Sequence, residues 1–424
     1  MGDSMSTIIN ATTTNGVVIQ PDNSGSLVLQ TNNGTTALTI STAQNTTLAG
    51  KLTTASSGIQ FSDASTQTAA ASPYVLKNRI INGAMVIDQR NAGASVTAST
   101  TGAYALDRWY LEEATDGAAT VQQVSDGPTG FTNSLKVTVT STGTSIGASQ
   151  YFEVDQNIEG FNTADLSFGT ASASTITISF WVKSSLTGTF GGSIRNSAAN
   201  RSYPFSYTIS SANTWEQKTV TITGDTSGTW IGATNGIGLR LTFALAAGSS
   251  LSGTVNTWAG ANLLAPTGST NLMGTASATW QVTGVQLEVG STATPFERRL
   301  YNQELANCQR YYSTSIQLGS TITNFSAFGV GSPAATFFAS VGSSNDLFGT
   351  LQLPVAMRAA PTFNIYSATN RTSGSVRDNV TGTDVAVTNY SFSADNNKSI
   401  SYMSGLSGTV SRPYAFQWTS SAEL

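Results

Sequence analysis

Short apolar clusters separated by polar turn residues make up the first seventy or so positions of the chain. They predict short strands at 16–20, 26–30, 37–40, 47–52 and 58–61. Each has too few large apolar side chains to offset the entropy of ordering it. Three identical chains wound about one axis would pair every strand edge with a neighbour. The pattern predicts an intertwined trimeric β-fibre over residues 1–72, and a disordered polar tail is the alternative that composition allows.

Alternating apolar and polar residues dominate the middle of the chain. The runs 134–140, 151–156, 175–183, 203–209, 218–223, 237–245 and 280–289 each predict a strand with one buried and one solvated face. Turn residues separate several of them, at Gly127-Pro128, Gly191-Gly192 and Gly224-Asp225. We expect two sheets packed face to face, a jelly-roll β-sandwich over residues 73–292.

A single helix is predicted after the sandwich. Thr294, Pro295 and Glu297 match an N-cap, a first-turn proline and the third position of a capping box. An apolar stripe at helical spacing follows, at Tyr301, Leu305, Cys308 and Tyr312. The sequence therefore predicts a connecting helix within residues 293–313.

The last hundred residues return to a strand pattern, at 326–330, 336–341, 348–353, 362–366, 384–392, 399–403 and 414–419. These strands predict a second, smaller β-sandwich over residues 314–424. The longest polar connection, 370–384, contains Arg371, Arg377 and Asp378. We expect this connection to be a loop displayed towards a receptor.

Composition supports an all-β fold and excludes several functions. Charged residues are 10% of the 424 residues, and 40 glycines stand among many Ser, Thr and Asn residues. A net charge of −4 without any Lys/Arg run argues against nucleic-acid binding. No apolar stretch is long enough to span a membrane, and the N-terminus lacks the pattern of a secretory signal.

The absence of histidine excludes Ser-His-Asp and Cys-His nucleophile arrangements and imidazole-based zinc sites. Cys308 cannot form a disulfide within one chain and is expected to be a small buried hydrophobe. We predict no cofactor and no bound metal. Catalysis would therefore have to use carboxylates.

Four carboxylates, Glu153, Asp155, Glu159 and Asp165, form the best candidate cluster. On an extended strand Glu153 and Asp155 share a face about 6.5 to 7 Å apart, which is compatible with a glycosidase acid–base pair. Two other interpretations explain the cluster equally well: solvated carboxylates at a strand end, or ligands of a structural Ca²⁺ near Asp155-Gln156-Asn157.

Trp181 is the residue singled out as a candidate binding group. Strand alternation places its indole on the polar face of the strand, beside Thr177, Ser179 and Lys183. An aromatic ring among hydroxyl groups could stack on a sugar. The alternative is that a loop or another subunit covers the ring.

Several motifs occur in order between residues 77 and 424. They include Lys77-Asn78-Arg79-Ile80-Ile81-Asn82-Gly83, Asp107-Arg108-Trp109, Val285-Gln286-Leu287-Glu288, Cys308-Gln309-Arg310-Tyr311-Tyr312, Leu353-Pro354-Val355-Ala356-Met357-Arg358 and Ala422-Glu423-Leu424. Together they resemble sequences of bacteriophage tail fibre and related virion proteins. The resemblance implies a homotrimeric virion appendage with a carbohydrate-binding-like jelly roll, and it supplies no catalytic residues. We expect Asp107 and Arg108 to hold a strand end through charge-assisted bonds, with Trp109 packed beneath.

The expected function is that of a non-enzymatic, trimeric tail fibre on the outside of a phage particle. Its N-terminal segment would attach to tail or capsid proteins, and its distal β domain would contact a host surface glycan. Two alternatives stay open. The chain could be a capsid- or tail-decorating fibre without a receptor, or a tailspike that cleaves polysaccharide with Glu153 and Asp155.

Overall fold

The computed structural model describes residues 27–31, 35–40, 46–48, 59–60, 66–67, 77–323, 335–339, 347–387, 389–392, 399–404 and 412–424. The chain divides into two units, Met1–Val75 and Leu76–Leu424. Among the described residues, no helix has the length and apolar character that crossing a membrane requires.

The N-terminal unit contains short antiparallel strands. These are β1 (Leu27–Thr31), β2 (Thr35–Ile40), β3 (Thr46–Leu48), β4 (Ile59–Gln60) and β5 (Thr66–Gln67). β1, β2 and β3 form one sheet in that order, and β4 pairs with β5. Strands therefore occur at each predicted position that the structure describes, whereas the predicted strand 16–20 lies outside the described residues. Val28 and Leu29 in β1 are 42% and 43% exposed, so a single chain leaves their apolar side chains largely uncovered.

The second unit begins with a run of strands, most of them long. They are β6 (Val96–Thr97), β7 (Ala103–Leu106), β8 (Trp109–Glu113), β9 (Ala118–Val124), β10 (Ser134–Ser141), β11 (Tyr151–Glu159), β12 (Ile176–Ser184), β13 (Gly188–Arg195), β14 (Ser202–Ile209), β15 (Glu216–Ile222), β16 (Ile237–Ala247), β17 (Ser252–Gly253), β18 (Ala265–Pro266) and β19 (Thr279–Val289). Four short 3₁₀ helices connect them within the described residues, at Gly160–Asn162, Ala164–Leu166, Ser249–Leu251 and Leu272–Gly274.

Two antiparallel six-stranded sheets form the predicted jelly-roll sandwich. The first sheet has the order β15-β12-β19-β10-β9-β6, and the second has the order β14-β13-β16-β11-β8-β7. Their inner faces share one core, in which the Phe243 ring lies 5.0 Å from Phe180 and 5.4 Å from Trp280, measured between ring centroids. All three side chains are fully buried. The predicted alternating runs correspond to β10, β11, β12, β14, β15, β16 and β19, whereas β6 to β9 and β13 were not predicted.

One predicted turn in the sandwich is wrong. Gly191 and Gly192 lie inside β13, where Gly192 pairs with Phe205 on one side and Phe243 on the other. A Cβ atom at Gly192 would lie 2.2 Å from the Thr242 carbonyl oxygen and 2.6 Å from Phe205 Cζ. The glycine therefore permits close packing within a strand rather than a reversal of the chain.

The connecting helix is shorter than predicted. α1 spans Tyr301–Gln309, and its N-cap is Leu300, which makes no side-chain cap hydrogen bond. Thr294 Oγ1 instead donates to Glu288 Oε2 at 2.6 Å, and Glu297 Oε2 accepts from the Asn78 backbone at 3.1 Å. The predicted capping box is therefore wrong, because tertiary partners use both side chains. Cys308 is buried, as expected.

The C-terminal part is again β structure. Its strands are β20 (Tyr312–Thr314), β21 (Ala335–Ala339), β22 (Leu347–Gln352), β23 (Thr362–Ser367), β24 (Ser375–Asp378), β25 (Thr383–Ala386), β26 (Asn389–Phe392), β27 (Ser399–Ser404) and β28 (Pro413–Ser421). β28 is the central strand, because it pairs with β20, β21, β23 and β24. The predicted strand 326–330 lies outside the described residues.

A charged junction joins the sandwich to the C-terminal sheet. The Arg108 guanidinium lies 3.6 Å from the Tyr311 ring centroid and donates to the carboxylate of Glu423. Asp107 accepts hydrogen bonds from the backbone and side-chain nitrogens of Gln89, at 2.7 and 2.6 Å. Trp109 is fully buried. The expected structural roles of Asp107, Arg108 and Trp109 are confirmed.

Candidate functional site

The predicted sugar-binding residues lie on the outer face of the first sheet, but two of them are inaccessible. Thr177 is fully buried, and its hydroxyl donates to the carbonyl of Gly290 at 2.7 Å. Ser179 is also buried. The chain that follows β19 covers this end of β12, so Thr177 and Ser179 offer no surface to a ligand. This half of the predicted site is wrong.

Trp181 remains half-buried, with a second aromatic ring beside it. A Cβ atom at Gly284 would lie 2.7 Å from Phe131 Cζ and 3.2 Å from Trp181 Cδ1, so both rings pack over this bare backbone. Phe296 contacts Phe131 edge-on, with 5.1 Å between the ring centroids. A loop therefore covers one edge of the indole and leaves the ring only partly accessible.

Lys183 lies at the centre of a polar group further along the same face. Its Nζ is 2.5 Å from Asp126 Oδ2 and 5.0 Å from the ring centroid of Trp215. Asp126 also accepts from Gln281 Nε2 at 3.0 Å and from Trp215 Nε1 at 3.5 Å. The hydrogen bond from Lys183, supported by that from Gln281, lowers the pKa of Asp126. Asp126 therefore stays an ionised acceptor at the surface.

Trp215 is the residue that sequence reasoning missed. It immediately precedes β15, outside the predicted run 218–223, and its indole is half-buried. Because Trp181 pairs with Gln217, position 215 lies on the same face, diagonal to Trp181. Side chains in such diagonal positions are about 7–8 Å apart. Placing Trp215 beside Trp181 requires the pairing register of β12 and β15, which the sequence analysis did not provide.

We call Trp181, Trp215, Lys183 and Asp126 the tryptophan patch. It presents two partly exposed indoles together with a cation and a carboxylate, and the buried Gln281 amide donates to Asp126. Indole faces pack on the apolar faces of sugar rings, and the polar groups can exchange hydrogen bonds with ring hydroxyls. The patch can therefore bind an extended polar ligand that carries flat apolar faces.

Glu153 and Asp155 lie on the outer face of the second sheet, buried together. The Arg195 Nη2 atom is 2.7 Å from Glu153 Oε2 and 3.0 Å from Asp155 Oδ2. The three side chains are 5%, 1% and 3% exposed for Glu153, Asp155 and Arg195. Burial raises the pKa of Glu153 to about 8 and also raises the pKa of Asp155, against the attraction of Arg195.

This geometry opposes a glycosidase pair. A single guanidinium nitrogen occupies the space between the carboxylates, where the scissile bond and a water would have to lie. The tailspike alternative that uses Glu153 and Asp155 is therefore wrong in its catalytic residues. The pair forms a buried ion cluster instead.

The other two carboxylates of the predicted cluster are dispersed. Glu159 accepts from Arg310 at 2.6 and 2.9 Å and from the Tyr311 hydroxyl at 2.7 Å. Asp165 pairs with Arg79 at 2.5 Å on the surface. In the part of the chain that the structure describes, no group of three or more acidic, Cys or His residues is arranged to bind a metal.

The predicted receptor loop 370–384 is largely a hairpin of β24 and β25. Asp378 is buried and bonds to Arg412 at 2.9 Å, and Arg377 is half-buried and pairs with Asp384 at 3.3 Å. Arg371 is exposed, with a left-handed backbone at φ 62°. Asp378 therefore stabilises the hairpin from a buried position, and the prediction that it faces a receptor is wrong, whereas for Arg371 and Arg377 it stays a prediction.

No known family model matches the chain, and no curated protein matches it in sequence. A search of solved structures finds the enzymatically active domain of bacteriophage CBA120 tailspike protein 4, at 15% identity and a TM-score of 0.28, covering 52% of this chain and 22% of that one. It also finds a putative sugar-binding protein from Bacteroides thetaiotaomicron, at 11% identity and a TM-score of 0.28, covering 50% and 100% of the two chains.

A further match is a family 11 carbohydrate-binding module from Clostridium thermocellum in complex with a mixed-linked tetrasaccharide, at 12% identity and a TM-score of 0.25, covering 44% and 91%. TM-scores this low do not indicate a shared function. The assignment as an all-β protein with a jelly-roll sandwich rests on the two sheets described above.

Proposed function

We propose that this chain is a subunit of a trimeric phage tail fibre that binds a host surface glycan through the tryptophan patch. The observation that carries the proposal is the pairing of two half-exposed indoles, Trp181 and Trp215, around the Lys183–Asp126 ion pair. Ordinary cores bury such large aromatic rings completely, as they do Trp109 and Trp280. Partly exposed rings beside hydrogen-bonding groups suit sugar stacking.

Two observations support the trimer and its place on the virion. The exposed Val28 and Leu29 of β1 need a partner surface, and a second and third copy of the same strand would provide one. The motifs from residue 77 to 424 resemble those of tail fibres. The N-terminal unit would attach the fibre to the particle, and three linked glycan sites would gain avidity from weak contacts.

The test uses the purified full-length chain in competition with phage for adsorption to host cells. The protein should block adsorption, and Trp181→Ala with Trp215→Ala should weaken binding to isolated host polysaccharide. Loss of a central aromatic contact costs about 2 kcal/mol or more, which is roughly 30-fold in affinity. Tyr301→Ala is the matched control, because Tyr301 is 52% exposed but lies outside the patch.

Two outcomes would contradict the proposal. Unchanged polysaccharide binding by the double variant would remove the tryptophan patch as the site. Failure to compete at saturating concentration would favour the alternative, a fibre that decorates the capsid or tail without a receptor. Light scattering tests the oligomeric state separately. The measured mass should be that of three 44.0 kDa chains, and the mass of a single chain would contradict the proposed trimer.

A further inference from the structure

A polar pocket of about 210 Å³ lies where three segments of the second unit meet. The segment at 77–81, the 3₁₀ helix Gly160–Asn162 and α1 contribute to its walls. Arg79, Ile81, Asn162, Arg299, Gln303 and Asn307 line it, together with Asn78. The pocket is on a different part of the sandwich surface from the tryptophan patch, with which it shares no residue.

Three side chains that line this pocket, Asn162, Gln303 and Asn307, have amide groups that can hydrogen-bond to a ligand. Gln303 and Asn307 are four residues apart and therefore share one face of α1. Neither they nor Asn162 make a side-chain hydrogen bond to any described residue. The amide of Asn78, in contrast, is engaged, since it donates to Val285 O at 3.2 Å and accepts from Ile80 N at 2.9 Å.

The charged groups of the pocket are neutralised within the protein. Arg299 donates to Glu297 at 3.0 Å, to Glu304 at 3.3 Å and to the Ile80 carbonyl at 3.0 Å. Arg79 pairs with Asp165, and its buried Nε makes no hydrogen bond to a described residue. An anionic ligand would therefore gain little attraction here, because each guanidinium already faces a carboxylate.

We propose that this amide pocket binds a single neutral sugar ring. A primary amide both donates and accepts, as a pair of neighbouring hydroxyls does, so Asn162, Gln303 and Asn307 match a ligand that carries several hydroxyls. The Ile81 side chain supplies an apolar contact. The volume is below the roughly 300–1,000 Å³ of pockets for drug-sized ligands, which favours one ring over a chain of rings.

The test is saturation-transfer NMR on the full-length protein with glucose, galactose, mannose and N-acetylglucosamine as separate probes. At least one sugar should receive saturation. The double variant Asn162→Ala/Asn307→Ala should reduce its affinity about tenfold or more, because two hydrogen bonds are lost. Alanine also favours the helix at position 307, so α1 should stay folded. Asn302→Ala is the control, since Asn302 is an exposed amide of the same helix outside the pocket.

Each outcome decides the proposal. No saturation of any of the four sugars, or equal saturation with the double variant, would overturn it. Binding of an asparagine-rich peptide in place of every sugar would overturn it in favour of a protein partner. The tryptophan variants should leave this binding unchanged, so failure of the amide pocket is distinguishable from failure of the tryptophan patch.

Discussion

The buried cluster of Arg195, Glu153 and Asp155 allows a sharp test of how the sandwich is stabilised. Replacing Arg195 with Met keeps most of the side-chain volume but removes the positive charge that one nitrogen atom shares between both carboxylates. Removing one partner of a buried ion pair costs about 3–5 kcal/mol, because the remaining charge is left uncompensated. Glu153 and Asp155 both lose this counter-charge, and Glu153 can take up a proton to relieve part of the cost, so we expect about 3–5 kcal/mol of lost stability at pH 8.

The cost should depend on pH with a definite sign. Burial raises the folded-state pKa of Glu153 to about 8, above its ordinary value of 4.5. The folded protein therefore binds more protons than the unfolded chain between these values, and the contribution of Glu153 to stability falls as pH rises through this window. In Arg195→Met the pKa should rise further. At pH 5 Glu153 is protonated, and the loss should shrink towards about 2 kcal/mol of missing hydrogen bonds.

The assay is denaturation by guanidinium at pH 5 and pH 8, followed by tryptophan fluorescence. Lys218→Met is the control, since the partly exposed Lys218–Glu216 pair at 2.6 Å should contribute at most about 1 kcal/mol. Adding Glu153→Gln to the Arg195 variant should restore part of the loss at pH 8. An Arg195→Met protein as stable as the wild type at pH 8 would refute the reasoning.

Three further predictions concern other contacts. Arg108→Met should lower the free energy of unfolding by about 1.5–3 kcal/mol in chemical denaturation, because Glu423 loses one charged hydrogen-bond partner and keeps the other, Arg90; an unchanged midpoint would contradict this. Burial would raise the pKa of Asp378, but hydrogen bonds from Arg412 and two backbone amides lower it to about 2. Asp378 therefore stabilises the folded protein fully above pH 3.8, the ordinary pKa of the group, and this contribution is lost as the pH falls through 2. Asp378→Asn should remove that part of the acid slope in a pH titration of stability. Gly284→Ala should cost about 1–3 kcal/mol for its φ of +62° and, by displacing Phe131, change the fluorescence of the adjacent Trp181.

Seven strands of the sandwich could be predicted, because the alternation of apolar and polar residues that marks them is local. In β16, Leu239, Leu241, Phe243 and Leu245 alternate with smaller or more polar residues, and all four are fully buried. The same period located β10, β12 and β19 to within a residue or two. Alternation reports which face of a strand meets the core, whatever the neighbouring strand is.

The predictions failed where residues that match a local motif form hydrogen bonds or ion pairs with other segments of the chain. Thr294 and Glu297 are residue types that commonly cap a helix. Here Thr294 donates to Glu288 instead, and Glu297 accepts from the backbone N–H of Asn78. Asp378 looks like a loop residue by composition, yet its side chain is buried and pairs with Arg412. No local pattern encodes such partners.

The candidate site shows the same division. Alternation correctly placed Trp181 on the outer face of β12, but only the chain after β19 decides that Thr177 is covered. Trp215 joins Trp181 through the register of β12 and β15, which a single sequence does not specify. The individual residue was predictable, and its neighbours were not.

The charged junction has a consequence for how the second unit folds. Glu423 contacts Arg90 and Arg108, which are 333 and 315 positions away in the chain. Contacts of such sequence separation form late, because a long loop must close before they can contribute. Until then Arg108 lacks this counter-charge, so the sandwich edge formed by β7 and β8 should be less protected from hydrogen exchange than its centre. In a variant truncated before residue 423, this edge should keep the lower protection from hydrogen exchange.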